Sequence, residues 1–186
     1  MRISFLLAIV VLAISGCMIV PRPTEQELQA LDNPPPAVQA KLERFLPHVI
    51  SWYNQVETEL LPKGRPLSQS EIDFAVSVGV KEPNQVRVVV LENFPMPSDQ
   101  ELRTEAERFG LGSAAEGGRT TGSVIMLKPR VAKNNSVISH ELVHIGQQDK
   151  MGRNAFLRRY LIEMEMMGYA RSPLELDAYA RQSRSL

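Results

Sequence analysis

The sequence predicts an α+β domain, mainly helical, with a small sheet. Three observations lead there. Apolar residues recur at helical spacing over most of the chain, and two short Val- and Ile-rich runs are bounded by Pro or Gly. In addition, 44% of the 186 residues are hydrophobic, enough for one domain with a real core. Lys and Arg total 21, as do Asp and Glu, so the formal net charge is zero. A nucleic-acid partner demands a basic surplus to neutralise phosphates, and that class is excluded. With one cysteine in the chain, no disulfide forms within it.

The first segment reads MRISFLLAIVVLAISGCMIV: one Arg, an apolar run from Ile3 to Ile14, then Ser15-Gly16-Cys17. The run has the length of a signal-peptide core and falls short of the ~20 residues that span a bilayer. Ile14-Ser15-Gly16-Cys17 resembles the lipobox of bacterial lipoproteins. That resemblance implies a signal peptide over residues 1–16, cleavage before Cys17, and acylation of its thiol and new amine. Met18 after the cysteine implies, in Gram-negative sorting, an outer-membrane anchor facing the periplasm. Several acyl chains, each buried CH₂ worth roughly 0.8 kcal/mol, hold a protein stably on a membrane. Residues 17–36 include Pro21, Pro23 and Pro34-Pro35-Pro36 and read as an extended tether. About 20 such residues reach roughly 60 Å at ~3.1 Å each, less wherever Glu25 to Leu31 turns helical.

The domain then covers residues 37–186. Val38, Leu42, Phe45, Leu46, Val49, Ile50, Tyr53, Val56 and Leu60 give Ala37–Leu60 a helical stripe, with Pro47 as a point of bending. Ser68-x-x-Glu71 is a capping-box pattern that starts a second helix ending near Gly79. Val86 to Leu91 reads as a strand, and Ser98 caps a helix running through Phe109. A Gly-rich turn, GSAAEGGRTTG, leads into a second strand, SVIML, ended by Pro129. Three helices follow: one through His140, one from Asn154 to Met167, and one from Pro173.

Chemistry concentrates in VISHELVHIGQQ, Val137 to Gln148. On a helix, His140 and His144 lie roughly 40° apart and one turn up, so both imidazoles face one point. Two such nitrogens suit zinc, and Glu141 beside them can take a proton from an activated water. Asn134, Asn135 and Ser136 are available to cap the start of this helix.

HELVH on a helix after a strand resembles the zincin metallopeptidases. Gln147 and Lys150 stand where the metzincin branch has Gly and His, so the resemblance is to the gluzincin type, whose third ligand is a carboxylate. It implies a minimal zincin-like domain, its active-site helix behind an edge strand, holding Zn²⁺ and hydrolysing peptide or protein substrates in the cell envelope. Within TTGSVIMLKP lies the strand that would pair with an extended peptide. Gluzincin ligand helices often read Glu-x-x-Ala followed by Asp or Asn. Glu175-Leu176-Asp177-Ala178 matches, with Tyr179 in the last place, and Glu175 is the leading candidate. Glu163, Glu165 and Asp177 remain alternatives, whereas Asp149 points away. Ser172-x-x-Glu175 is also a capping box, which would employ Glu175 in closing a helix end. Tyr169 and Tyr179 are candidate oxyanion donors or simply packed aromatics. His48 receives no role. Two rival readings stand beside the peptidase: a non-catalytic envelope lipoprotein with a structural metal or partner-binding role, and a zinc amidase acting on cell-wall peptides.

Overall fold

The computed structural model describes residues 21–186; the signal peptide expected over 1–16 and the lipidation site Cys17 lie outside the described residues. The helices are α1 (Glu25–Asp32), α2 (Pro36–Leu60), α3 (Gln69–Ser77), α4 (Gln100–Arg108), α5 (Asn135–Met151), α6 (Arg153–Met167) and α7 (Pro173–Arg181). The strands are β1 (Arg65–Pro66), β2 (Arg87–Val90), β3 (Gly118–Thr121) and β4 (Val124–Leu127). The architecture is α+β and mainly helical, with one small mixed sheet in the order β1-β2-β4-β3.

β2 and β4 run parallel, with Val88 opposite Ile125 and Val89 opposite Met126. Their side chains alternate faces, so each pair joins a different core. Val88, Ile125 and Leu127 pack with Leu142, Val143 and Ile138 of α5. Val89, Val124 and Met126 pack with Val56 and Leu60 of α2. The sheet is therefore a middle layer, which explains the unbroken apolar run in β4. β3 turns back on β4 as an antiparallel hairpin and forms the sheet's edge. Of TTGSVIMLKP, expected as the edge strand, Thr120 and Thr121 belong to the edge strand β3, which starts at Gly118 inside the stretch read as a Gly-rich turn, whereas Val124–Leu127 is an inner strand.

α2 continues through Pro47 for its 25 residues. α3 begins with the capping box read from sequence: Glu71 N donates to Ser68 Oγ at 3.3 Å and Ser68 N to Glu71 Oε2 at 2.6 Å. α4 is capped by Asp99, not Ser98, through Leu102 N at 2.8 Å. The tether expectation requires correction. α1 packs against the domain, burying Leu31 against Leu42 of α2 and Ile162 of α6. Arg159 pairs with Asp32 at 2.7 Å and Arg171 with Glu27 at 2.7 Å, so residues 25–36 belong to the folded body.

α5, which carries His140 and His144, is buried almost throughout its middle. Gly146 lets it approach α3 closely, since a Cβ there would overlap the carbonyl oxygen of Val78. Gly→Ala inside a helix ordinarily stabilises by about 1 kcal/mol. Gly146→Ala is expected to do the opposite, lowering stability by about 1–3 kcal/mol through overpacking. A fall in the urea midpoint checks this, and a rise would refute the close-approach reading.

Candidate metal centre

Three buried side chains converge from α5 and α7. His140 Nε2 lies 3.1 Å from His144 Nε2 and 3.2 Å from Glu175 Oε2, and His144 Nε2 lies 3.4 Å from Glu175 Oε1. Tetrahedral bonds of roughly 2.0–2.1 Å separate ligand atoms by roughly 3.3–3.4 Å, close to these spacings. His140, His144 and Glu175 form a group that could hold a metal ion, their ligand atoms all within 4.8 Å of one another.

Glu175 points inward, and other groups complete the cap of its helix. Ser172 Oγ accepts from Glu175 N at 3.2 Å, but the reciprocal bond of a capping box is absent, because Ser172 N donates to Tyr169 O at 3.2 Å. Glu163 Oε2 of α6 accepts from Ser172 Oγ at 2.7 Å and from Leu174 N at 2.9 Å. Glu163 also pairs with Arg159 at 2.7 Å, so this buried carboxylate is fully engaged. Glu165 pairs with Lys41 at 3.1 Å and with Arg108, away from the histidines. Asp149 accepts from Lys81 N and likewise lies elsewhere.

Asp177 acts one step back from the cluster. Gln147 Nε2 donates to Asp177 Oδ2 at 2.8 Å and to Leu174 O at 3.0 Å. Both amide hydrogens are thereby committed, and Gln147 Oε1 faces His144 Nδ1 at 2.9 Å. An amide oxygen only accepts, so Nδ1 carries the proton and Nε2 is the atom aimed at the cluster. His140 is held differently: its Nδ1 is buried without a hydrogen-bond partner among the described residues, and Tyr179 packs against its ring at 4.6 Å between centroids. Tyr179 thus replaces an orienting hydrogen bond with an aromatic contact. Tyr160 of α6 donates to Glu175 Oε1 at 2.8 Å. Gln147 and Tyr160 were missed in the sequence, the first read only as a departure from a motif and the second as part of an apolar stripe.

Burial alone would raise the Glu175 carboxyl, but hydrogen bonds from both histidines hold it well below the usual carboxylate range. Burial would lower His144, yet the hydrogen bond and charge of Glu175 carry it up to about 9. Desolvation raises Glu141, although both histidines and Thr120 oppose it. Thr120 Oγ1 of β3 donates to Glu141 Oε2 at 2.7 Å. A Cβ at Gly118 would stand 2.6 Å from Glu141 Oε1 and 2.9 Å from Val137 Cγ1, so a larger residue there would push the carboxylate from its present position.

His140, Glu141, His144 and Glu175 all line one cavity of about 800 Å³. Tyr169 and Tyr179, exposed to 45% and 50%, join their hydroxyls at 3.2 Å on its wall. Comparison of the chain with known protein families, curated proteins and solved structures returns no match.

A zinc titration by calorimetry tests this centre. With His144 titrating at about 9, the metal-free histidine is protonated at pH 7 and must release that proton to ligate. Uptake at pH 7 is expected to release a proton, and the release should fade as pH rises past 9. Glu175→Gln should weaken binding sharply and Gln147→Leu by about 10–100-fold, whereas Glu165→Gln should leave it intact. Equal loss in Glu165→Gln would relocate the site.

Proposed function

We propose that this protein is a zinc metallopeptidase of gluzincin type, held at the cell envelope by lipidated Cys17. The observation that carries the reading is a buried group of two histidines and one glutamate opening on a cavity that Glu141 also lines. Three protein ligands among the described residues, facing a cavity, suit a catalytic site, because structural zinc sites are closed by a fourth protein ligand. This supports a hydrolase over a structural metal site.

Zinc, when bound by His140, His144 and Glu175, supplies Lewis acidity and lowers the pKa of water toward ~7. Glu141 accepts a proton from the attacking water as its oxygen adds to the amide carbonyl carbon. It then returns that proton to the nitrogen as the C–N bond breaks, giving a carboxylic acid and an amine, and the acid's remaining proton passes to the amine to leave a carboxylate and an ammonium. Thr120 fixes the Glu141 carboxylate, and Gly118 leaves it room. Tyr169 and Tyr179 are the hydroxyl donors available to the developing oxyanion. β3, as the edge strand beside the cavity, offers its outer backbone groups to an extended substrate.

The catalytic test uses a fluorogenic peptide library and the chain from Pro21 onward, which keeps α1. Glu141→Gln is expected to reduce cleavage by about 10²–10⁴-fold with zinc content and helical content unchanged. Undiminished turnover would exclude Glu141 as the base. For the anchor, palmitate labelling of cells should disappear in Cys17→Ser, and persistent label would sink that assignment.

A further inference from the structure

The cavity extends well past the metal centre. Beyond His144 it runs between α2, α4 and α6, where Leu42, Phe45, Val49, Phe109, Leu161 and Met164 form the walls. Its size lies toward the upper end of the roughly 300–1,000 Å³ typical of sites for whole small molecules, and one amino-acid side chain would leave most of it empty. The α2 and α6 walls of this arm are helical, so their main-chain groups are bonded within each helix and cannot pair with an incoming peptide. A peptide backbone lying along them would leave its amides there without partners. The charged residues there are mutually paired. Lys41 meets Glu105 at 2.7 Å and Glu165 at 3.1 Å, and Arg108 pairs with the same two glutamates. The knot offers no unmatched charge to a ligand headgroup, and what remains to recognise a ligand is apolar surface.

We propose that this arm takes a hydrocarbon chain. The substrate of the metal centre is then an acylated peptide, its fatty chain lying between α2, α4 and α6 and its amide standing before Glu141. The proposal rests on reading the centre as hydrolytic and adds the class of substrate.

The test uses the full chain in phospholipid nanodiscs, loaded with zinc, and an N-acyl peptide carrying a diazirine at the end of its chain. After irradiation, cross-linked residues are mapped by mass spectrometry. Label should concentrate on Phe45, Val49, Leu161 and Met164. Excess unlabelled acyl peptide should remove it, and the same peptide without its acyl group should not. Lengthening the chain should raise capture by up to about fourfold per methylene and then level off once the arm is filled. Val49→Trp, which occupies the arm, should reduce labelling about tenfold. Should that variant fail to fold, the length series on the native chain decides alone. Label scattered over the surface, or capture that rises with length without a plateau, would overturn the proposal. Equal competition from added free phospholipid would also overturn it, by assigning the arm to membrane lipid. Because capture requires no turnover, the two readings separate. Labelled arm residues without cleavage would sink the hydrolytic reading, whereas cleavage of plain peptides without capture would sink this one alone.

Discussion

Two imidazoles and a carboxylate buried within 3.1–3.4 Å of one another are tolerable only if their remaining polar atoms have somewhere to go. Much of the surrounding architecture meets that constraint. Glu163 and the carbonyl of Tyr169 complete the cap of α7, so Glu175 is not needed there and turns inward. Tyr160 holds one oxygen of Glu175, and Gln147, fixed from behind by Asp177, holds His144. The apolar cores on either side of the sheet keep α5 in place, and the polar bonds decide which atoms it presents.

Elements with strong local signals were legible in the sequence. The capping box of α3, the valine run of β2 and the apolar β4 each carry their own periodicity or cap, and the HELVH spacing places two histidines on one face by helix geometry alone. Glu175 could be ranked first only through a resemblance, because its capping-box position argued equally for a structural role. What resolved that competition, the carboxylate of Glu163, comes from another helix and has no local signature. β3 was hidden for a related reason. Gly118 is a poor strand residue by propensity, yet it leaves room where the edge strand passes over Glu141. Tyr160 shares its stripe with Leu157 and Leu161, and only the tertiary arrangement shows that its hydroxyl ends on a carboxylate.

The two halves of the chain divide the work. The C-terminal half carries His140, Glu141, His144, Glu175 and the edge strand β3. α2 and α4, from the half that resembles nothing recognised in the sequence, supply the opposite wall of the cavity. A four-charge knot of Lys41, Glu105, Arg108 and Glu165 joins that wall to α6. These pairs are partly exposed, so salt screens them, and they hold position more than they stabilise.

The docking of α1 bears on the anchor proposed at Cys17. Pro21, four residues after that cysteine, accepts a hydrogen bond from Arg171 at 3.1 Å. Four residues stretch to about 14 Å at most. Under the proposed anchoring at Cys17, a domain tied that closely would search in two dimensions across the bilayer surface. The bonds within reach of the proposed peptidase would then be those at the level of the headgroups.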